Sequence, residues 1–363
     1  MEKIISEFIL AQNNRCITYK DYMEWALYHP TLGYYNRHSR KIGKQGDFYT
    51  SSNVGEVFGR ALGKLFNHLF KSYDIQPNII ELGGGTGKIA HSVLHYLQET
   101  NPELFSRIFY TIIETSPYHQ SAQQKVLSYF SNVTYVDSLE GIGNIEGIVF
   151  SNEFFDAFPV HVIERKEGNL VEVMVSVEKG VLVEKTKPLQ NEEIASYLQH
   201  HGIIVQEGQR LEIPLSMMTY YHHLCEKIQK GFLLTIDYGY TKKEWTEEIH
   251  RMGSLRGYSQ HRLVHNILEN PGKVDITSHI HWDSLKQGSL QTLSFLPQNE
   301  FLVACGLLED LTDTMNPNPL APEHKRNRAI RSLLQSGQIS SYMQALVQVK
   351  NLECMKIELF PGK

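Results

Sequence analysis

Short apolar runs recur along the middle of the chain and predict the strands of a buried sheet. They are separated by segments in which apolar residues return every three or four positions, such as Ile89, Val93 and Leu97. The runs are typical of parallel strands covered on both faces, and the wider spacing is typical of helices. Strands that alternate with helices predict an α/β fold with a doubly wound parallel sheet. The predicted strands are residues 78–82, 108–113, 133–136, 147–150 and 232–236.

The N-terminal segment and one insertion depart from this alternation. Roughly the first 75 residues are predicted to be helical with a central loop, so we assign residues 1–75 to an N-terminal segment and 76–363 to the main domain. Between Val171 and Val177 valines alternate with other residues, and Lys179-Gly180 then turns the chain into another apolar run. This pattern predicts a β-hairpin, placed after the fourth strand in an insertion at about 165–215.

A second insertion is predicted at about 238–290. This segment is polar, weakly periodic and rich in glycine, histidine and asparagine, so we expect an irregular lid or binding loop. Two smaller predictions complete the outline. The apolar stripe from Met217 to Ile228 is interpreted as a helix that Gly231 ends as a C-cap, and residues 355–359 are predicted to form the last strand.

The first predicted strand leads into a glycine-rich turn. Glu81 precedes Gly83, Gly85 and Gly87, and a helical pattern begins directly afterwards. Because glycine has no Cβ, such a turn can be sharp and a ligand can approach its backbone closely. The spacing E-x-G-x-G-x-G is usual for S-adenosylmethionine (SAM) sites, whereas the dinucleotide fingerprint is G-x-G-x-x-G. The turn therefore predicts a SAM site and disfavours a nicotinamide dehydrogenase.

Acidic residues follow the next two predicted strands. Glu114 ends the second strand, where a carboxylate can accept hydrogen bonds from both ribose hydroxyls. Asp137 and Ser138 follow the third strand and are placed to meet an adenine amine. Each acid alone is more often a solvated strand end or a helix cap. Together with the glycine turn, they favour an adenosine ligand at the carboxyl edge of the sheet.

The fourth predicted strand ends in a polar group surrounded by aromatic residues. Asn152, Glu153 and Asp156 supply an amide and two carboxylates where a SAM fold presents its methyl group. Methyl transfer is an in-line displacement that depends on positioning and electric field. Carboxylates suit a guanidinium acceptor, which they bind in a bidentate manner, and they can accept the proton that the nitrogen loses. In the alternative interpretation, Asn152 and Asp156 only cap the following helix.

Composition narrows the class of protein. The chain has 363 residues, of which 41% are apolar and 21% charged, as in an ordinary globular protein. A net charge of −5 favours neither nucleic acid nor an anionic membrane as a partner. No apolar run approaches the ~20 residues of a membrane span, and the N-terminus lacks the features of a targeting peptide. We therefore expect a cytoplasmic protein.

Histidine and cysteine patterns give no support for a metal site. The pairs His261/His265 and His279/His281 have chelating spacing, but neither has an H-E-x-x-H glutamate or a cysteine pair beside it. The four cysteines are far apart and form no C-x-x-C motif, which fits a reducing compartment. We predict no metal.

Longer motifs resemble the MidA-type SAM-dependent methyltransferases over nearly the whole chain. The block Asn152-Glu153-Phe154-Phe155-Asp156-Ala157-Phe158-Pro159 and the block Gly253-Ser254-Leu255-Arg256-Gly257-Tyr258 are far more specific than a glycine turn. Gly84 and Gly257 depart from the residues usual in this family. Further similar blocks are Tyr28-His29-Pro30, Gly33-Tyr34-Tyr35, Gly46-Asp47-Phe48-Tyr49-Thr50-Ser51, Ile236-Asp237-Tyr238-Gly239-Tyr240 and residues 269–277.

The resemblance implies a seven-strand, Rossmann-like (class I) methyltransferase sheet with the cofactor on the glycine turn. It implies that Asp237, Arg256 and Tyr258 line the acceptor site, that the second insertion closes over it, and that residues 47–51 cover the cofactor. In the alternative interpretation, Arg256 pairs with Glu269 simply to hold the loop. Mitochondrial members of the family methylate an arginine of a respiratory complex I subunit, and this chain is similar to bacterial-type members.

Three functions are thus distinguished at the level of sequence. The first is a SAM-dependent methyltransferase acting on a protein, at an arginine nitrogen. The second is a non-catalytic assembly or binding protein that has kept the methyltransferase fold. The third, a nicotinamide dehydrogenase, is disfavoured by the glycine spacing. The sequence does not define the acceptor protein, the degree of methylation or the oligomeric state.

Overall fold

The computed structural model describes residues 1–37, 52–259, 262–264, 266–313, 318, 320–335, 343–352 and 358–361. The packing of these residues divides the chain into two units. The first unit takes its described residues from Met1–Phe48, Phe155–His223 and Tyr238–Gly288, and the second takes them from Tyr49–Phe154, Leu224–Asp237 and Ser289–Lys363. Residues 52–75, which we had assigned to an N-terminal segment, are grouped here with the second unit.

The strands within the described residues are numbered along the chain. They are β1 (Cys16–Thr18), β2 (Asn78–Leu82), β3 (Phe109–Ile113), β4 (Val133–Val136), β5 (Ile145–Asn152), β6 (His161–Lys166), β7 (Asn169–Glu178), β8 (Val181–Pro188), β9 (Arg210–Ile213), β10 (Ile228–Tyr240), β11 (Arg256–Ser259), β12 (Arg262–Val264), β13 (Asp275–Thr277), β14 (Ile280–His281), β15 (Gln291–Pro297) and β16 (Met343–Lys350).

The helices of the same residues are numbered in the same way. The α-helices are α1 (Glu2–Ala11), α2 (Tyr19–Tyr28), α3 (Ser52–Ser72), α4 (Lys88–Thr100), α5 (Pro102–Arg107), α6 (Pro117–Val126), α7 (Glu192–His200), α8 (Leu215–Lys227), α9 (Lys242–Trp245), α10 (Trp282–Lys286), α11 (Gln298–Ala304) and α12 (Pro322–Leu334). Short 3-10 helices are η1 (Leu139–Gly141), η2 (Phe155–Ala157), η3 (Glu248–His250) and η4 (Leu307–Asp310). None of the described helices is long and apolar enough to cross a membrane.

The sheet of the second unit has the predicted doubly wound form. Its seven strands lie in the order β15-β16-β10-β5-β2-β3-β4. The strands β10, β5, β2, β3 and β4 pair in parallel with one another, whereas β15 and β16 pair with each other in the antiparallel direction. Chain order reverses between β2 and β5, because β3 and β4 continue toward one edge and β10 toward the other. Ligands of open α/β sheets bind at the carboxyl ends of strands beside such a reversal.

The five predicted strands of this sheet are confirmed, although β5 and β10 are longer than predicted. The extension of β10 overturns the C-cap assigned to Gly231. Helix α8 ends at Lys227, and Gly231 lies inside β10 with φ of 132°. A Cβ on Gly231 would lie 1.9 Å from the carbonyl oxygen of Gly147 on β5. Gly231 is therefore required for close packing of two parallel strands, and it does not end a helix.

Two glycines let helix α3 pack closely on helix α4 in the second unit. A Cβ on Gly59 would lie 2.6 Å from Cβ of Ser92, and one on Gly63 would lie 2.8 Å from Cδ1 of Tyr96. These glycines are four residues apart, so both lie on the same face of α3. Gly55, one turn earlier, has no neighbour within 4 Å of its Cβ position. The close approach therefore begins after the first turn of α3.

The first unit contains an antiparallel sheet that includes the predicted hairpin. Strand order is β1-β7-β6-β9, and β8 pairs with β7. Lys179 and Gly180, with φ of 50° and 83°, make the turn between β7 and β8, as in a two-residue hairpin of type I′. One face of this sheet packs against α1 and α2. That core is formed by Ile5, Ile9, Tyr19, Tyr22, Met23, Ala26, Leu27, Val162, Val173, Val175, Leu182, Leu268, Val274 and Ile276, among others.

The second predicted insertion is not irregular, so that prediction is wrong. Strands β12, β11 and β13 form a small antiparallel sheet, and β14 pairs with the end of β10 at Gly239 and Tyr240. These strands have two to four residues. A run this short cannot show a period of two, and so the pattern was read as a loop.

The two ends of the chain differ from their predictions in detail. The predicted N-terminal helices are confirmed as α1, α2 and α3, and a short strand, β1, lies between the first two. Residues 355–357 of the predicted last strand lie outside the described residues, and Glu358 and Leu359 are not in a strand. The final described strand is β16, which pairs with β15.

Candidate active site

The glycine turn after β2 has left-handed backbone at alternate residues. Gly83, Gly85 and Gly87 have φ of 69°, 51° and 79°. The turn is held by hydrogen bonds from Gly83 N to the Ile113 carbonyl and from Gly87 N to the Gly84 carbonyl, both of 2.9 Å. Only glycine adopts this backbone without a penalty. The E-x-G-x-G-x-G spacing therefore specifies the conformation of the turn.

The surroundings of each glycine show whether protein packing or ligand access requires the absence of a side chain. A Cβ on Gly83 would lie 2.7 Å from Cδ2 of Phe154, and one on Gly87 would lie 3.2 Å from Cα of Gln123. A Cβ on Gly85 would meet no atom of the described residues within 4 Å. Gly83 and Gly87 are therefore needed for packing within the protein. Gly85 faces open space, where a ligand can approach the backbone.

Glu81 lies beneath the turn and is buried, with 3% of its surface exposed. Its Oε2 accepts a hydrogen bond of 2.8 Å from the Tyr110 hydroxyl on β3. Burial raises the pKa of Glu81 to about 7, assisted by the negative charge of Glu114 and opposed by the bond from Tyr110. Glu81 therefore carries a proton more readily than an ordinary carboxyl group. Its assignment as a cofactor ligand stays a prediction.

Glu114 is part of a hydrogen-bond network at the end of β3. Its Oε1 accepts from Ser116 N at 2.9 Å, and its Oε2 accepts from Nε2 of Gln123 at 3.2 Å. The same Gln123 nitrogen donates to the Gly85 carbonyl at 3.0 Å. Gln123 thus connects Glu114 to the glycine turn. The sequence interpretation missed Gln123, although a fully buried glutamine on helix α6 is the kind of residue that marks a site.

A second glutamine on α6 connects Glu114 to the end of β4. The side-chain amide of Gln120 donates to the Glu114 carbonyl at 2.6 Å and to Oδ1 of Asp137 at 2.7 Å. Asp137 is exposed and Ser138 is half-buried. The predicted adenosine-binding residues after β3 and β4 are therefore brought together, and helix α6 sets their positions.

Glu153 has a strained backbone at the end of β5. Its φ is 50°, and its N–H donates to the Ile236 carbonyl on β10 at 3.0 Å. A non-glycine residue in the left-handed region costs about 1–2 kcal/mol, and such strain concentrates at functional sites. The carboxylate remains accessible to solvent. Desolvation by surrounding protein raises the pKa of Glu153, and the hydrogen bond of 3.5 Å from the amide of Asn152 opposes this shift.

Asp237 helps to hold the turn that presents Glu153. It is fully buried, and its Oδ2 accepts from Phe154 N at 3.2 Å. The ring of Phe154 in turn packs against Gly83. Asp237 was predicted to line the acceptor site, but this hydrogen bond gives it a structural task within the second unit.

The remaining predicted residues lie in the first unit. Asp156, in η2, is buried, and its carbonyl accepts from Ser278 N at 2.9 Å. Tyr258, on β11, pairs in register with Asp275 on β13. Asp275 is also buried, and its Oδ1 accepts from the Tyr35 hydroxyl at 2.8 Å. Burial raises the pKa of Tyr35 and of Tyr258, and the negative charges of Asp156 and Asp275 add to the shift in both. We call these four residues the acidic–aromatic cluster.

Arg256 is held by its own loop and not by Glu269. Its Nη1 donates to the Leu255 carbonyl at 2.8 Å, whereas Glu269 accepts from the amide of Asn266. The start of this loop is fixed by Glu212, whose Oε2 accepts from Ser254 N at 2.8 Å and from Ser254 Oγ at 2.9 Å. The alternative in which Arg256 pairs with Glu269 is therefore wrong. Glu212 was missed because a single glutamate on a short strand carries no sequence signal.

Some predicted features cannot be placed. The segment 47–51 was predicted to cover the cofactor and lies outside the described residues. His261 and His265 also lie outside them. Among the residues that the structure describes, no group of three or more metal-ligating side chains is found.

Comparison with known proteins identifies the family. The profile of the family described as "Putative S-adenosyl-L-methionine-dependent methyltransferase" matches residues 61–296. The chain belongs to this methyltransferase family. The resemblance to MidA-type methyltransferases is thereby confirmed, and the non-catalytic alternative is not favoured.

Relatives and solved structures agree with this assignment. The mitochondrial protein arginine methyltransferase NDUFAF7 of Danio rerio is 25% identical over 339 residues, covering 80% of this chain and 73% of the relative. The protein of the same name from Mus musculus is 26% identical, covering 80% and 71%. A structure from Burkholderia thailandensis bound to S-adenosyl-homocysteine has 23% identity and a TM-score of 0.86, covering 97% of this chain and 92% of that chain. This likeness confirms the fold.

The residues of the second unit fit SAM as the cofactor of this methyltransferase. The open space at Gly85 lets a ligand reach the left-handed turn, which a side chain there would obstruct. Glu114 and Asp137, held by α6, would receive the ribose hydroxyls and the adenine amine. The Glu114 carboxylate accepts hydrogen bonds from Ser116 and Gln123, and its Oε2 lies 3.6 Å from Nδ1 of His119.

Proposed function

We propose that this methyltransferase methylates an arginine side chain of a protein. Relatives that align with 80% of the chain are named protein arginine methyltransferases. A guanidinium is cationic and planar, and it is recognised by carboxylates and aromatic faces. Both kinds of group occur among the predicted site residues, and this agreement supports arginine over a neutral acceptor.

The observation that carries the proposal is the conformation of Glu153. The strained backbone is locked by the Glu153 N–H bond to Ile236 and by the Phe154 N–H bond to Asp237. Phe154 also packs on the glycine turn, so Glu153 is fixed relative to the turn that would hold the cofactor. A strand cap would not need this strain. We therefore assign Glu153 to the reaction and Asn152 to its positioning.

Each residue then has a chemical task. When bound, SAM supplies a methyl group on a sulfonium that departs as a neutral thioether. Glu153 would hold one guanidinium nitrogen through a hydrogen bond and take the proton which that nitrogen loses when the new N–C bond forms. The raised pKa of Glu153 makes its carboxylate a better proton acceptor than an ordinary one. Precise placement supplies most of the remaining rate enhancement.

The acidic–aromatic cluster supports a cationic substrate. Asp156 and Asp275 are both buried, and their charges act on Tyr35 and Tyr258. Two buried carboxylates beside aromatic rings can bind a guanidinium, and the positive charge of Arg256 also acts on Tyr258. Asp156 belongs to the same unit as Arg256 and Tyr258. We therefore propose that Asp156 contributes to acceptor binding together with these two residues.

Mass spectrometry of a deletion strain tests the proposal. Lysate proteins would be incubated with the purified enzyme and SAM carrying a deuterated methyl group, with Gly85→Ala as the matched control. We expect labelled methylarginine in a small number of proteins, and none with the control. Label on another residue type would overturn arginine as the acceptor. SAM binding without label in any protein would support the non-catalytic alternative. A cytoplasmic location stays a prediction.

A further inference from the structure

The first unit contains a cavity of about 190 Å³. None of its lining residues belongs to the predicted cofactor or acceptor residues. Its walls come from the segment after α7, from β9, from the end of β10, from α9, from β14 and from the start of α10. The lining includes Ile203, Leu211, Tyr240, Lys242, Trp245 and His281. We infer that this cavity binds a small aromatic carboxylate, a ligand distinct from the cofactor and the methyl acceptor.

The size and lining of the cavity suit a single aromatic ring. An apolar cavity of about 150 Å³ is enough for benzene, so the present volume holds a ring with one small substituent. Ile203 and Leu211 supply apolar surface, and the ring of Tyr240 packs edge-to-face on that of Trp245 at 4.9 Å. A planar apolar ring would continue this aromatic packing.

Trp245 lines the cavity with a buried side chain, of which 4% is exposed. Its Nε1 has no hydrogen-bond partner among the described residues and no surface that a water molecule can reach. The ligand is therefore expected to contact Trp245 by aromatic packing and not through its N–H group.

The polar wall beside Trp245 is uncharged and rigid. The His281 ring lies 4.9 Å from that of Trp245. Its Nδ1 is 2.8 Å from the Tyr197 hydroxyl, which is 2.7 Å from Oγ of Ser284. Burial lowers the pKa of His281 to about 3, so the imidazole is neutral at physiological pH. The wall therefore orients a ligand without contributing charge.

Charge at the rim favours an anion. Lys242 is exposed, and its Nζ lies 3.1 Å from the position that a Cβ would take on Gly202. No carboxylate among the described residues pairs with this ammonium group. The nearby Asp283 is already paired with Lys286 at 3.1 Å and accepts from the backbone N–H of Lys242. The rim thus supplies an unpaired positive charge to a carboxylate whose ring occupies the cavity.

Titration with benzoate tests the inference on the full-length chain. Proton–nitrogen NMR resolves the indole N–H signals of the three tryptophans. We expect a saturable shift of the Trp245 signal, with the Trp25 signal unchanged. Lys242→Gln, at an exposed position, should weaken benzoate binding about tenfold, and Trp245→Phe should weaken it further. Trp25→Phe is the control and should bind benzoate normally.

Uncharged and ring-free probes define the ligand class. Benzyl alcohol should bind at least tenfold more weakly than benzoate, and acetate should cause no saturable shift. Equal binding of benzyl alcohol and benzoate would overturn the carboxylate, and no saturable shift with benzoate would overturn the site. If Trp245→Phe fails to fold, the Lys242→Gln comparison still decides, because unchanged affinity in that variant contradicts the role of the rim.

Discussion

Gly85 and Glu153 share a left-handed backbone for opposite reasons. At Gly85 the conformation is free of strain, and the missing side chain leaves room for a ligand. At Glu153 the backbone is strained, because a residue with a side chain occupies the left-handed region. The first residue was recognisable from its motif. The strain at the second could not be predicted, because it depends on hydrogen bonds to residues of β10 more than 80 positions later.

We predict that Gly85→Ala separates folding from cofactor binding. The new methyl group meets no atom in the part of the chain that the structure describes, so the loss of stability should stay near the cost of a left-handed alanine, about 1–2 kcal/mol. SAM should no longer raise the melting temperature, since the methyl group occupies the space of the ligand. Thermal unfolding with and without SAM measures both effects. A normal SAM-induced shift in this variant would contradict the proposed position of the cofactor.

Substitution of Glu153 should affect turnover but not cofactor affinity. Glu153→Gln removes the proton acceptor and keeps the shape of the side chain. We therefore expect kcat to fall by roughly 10²–10⁴-fold, and the affinity for SAM to stay unchanged. Glu153→Gly should also lose activity but gain about 1 kcal/mol of stability, because glycine relieves the left-handed strain. Single-turnover kinetics and calorimetry make the comparison. Full turnover by Glu153→Gln would move the catalytic assignment elsewhere.

Residues that hydrogen-bond segments distant in the sequence escaped prediction more often than residues in motifs. Gln123 and Glu212 each fix a predicted site segment, the glycine turn and the loop before Arg256. Neither has a characteristic neighbour in the sequence. Their importance arises because distant segments meet in the fold, which spacing along the chain does not record.

At the scale of elements, the long strands and helices were predictable and the short ones were not. The strand β2 coincides with its apolar run, and its last four residues are buried. The edge strand β4 also has its predicted bounds, although none of its residues is fully buried. The three-residue strands β12 and β13 depend on pairing with β11 and have no pattern of their own. Gly231 was misassigned because a glycine after a helical stripe is usually a C-cap, whereas here the strand begins without a loop.

Helix α3 offers a matched pair of glycine substitutions. Gly59→Ala would place a methyl group 2.6 Å from Cβ of Ser92, so we expect a loss of about 1–3 kcal/mol from overpacking against α4. Gly55→Ala meets no atom within 4 Å and should instead stabilise the protein by roughly 0.5–1 kcal/mol. Chemical denaturation of both variants measures the difference. Equal effects would show that α3 and α4 do not pack this closely.

At the scale of the whole molecule, the chain passes between its two units within the most specific motif. Glu153 and Phe154 belong to the second unit, and Phe155 and Asp156 belong to the first. The chain returns to the first unit after Asp237. The strand–helix alternation of the sequence stops in both segments that are predicted to be insertions. The N-terminal helices share one core with residues of these segments, and this association was not predicted because no local pattern encodes it.

Stability should depend on pH through the buried Glu81. Its pKa rises from 4.5 to about 7 on folding, so the folded state binds more protons than the unfolded state between these values. The contribution of Glu81 to the free energy of unfolding is therefore fully present below pH 4.5. It decreases as the pH rises to 7, by on the order of 3 kcal/mol. His281, with its pKa lowered to about 3, has the opposite dependence.

The variant Glu81→Gln isolates this contribution from that of His281. Relative to the variant, the wild-type protein should lose stability between pH 4.5 and 7, because the histidine contribution is common to both. Denaturant unfolding at a series of pH values gives the difference. A difference that is independent of pH would contradict the raised pKa of Glu81.

The core of the first unit also has a consequence for the order of synthesis. Ile5 and Tyr22 pack in the same core as Val162 and Ile276. The ribosome adds Ile276 some 250 residues after Tyr22. At translation rates of about 5–20 residues per second, helices α1 and α2 wait roughly 10–50 s for their last partners. During that interval their apolar faces lack the cover that the finished core provides. The nascent N-terminal helices are therefore a site where a chaperone has time to act.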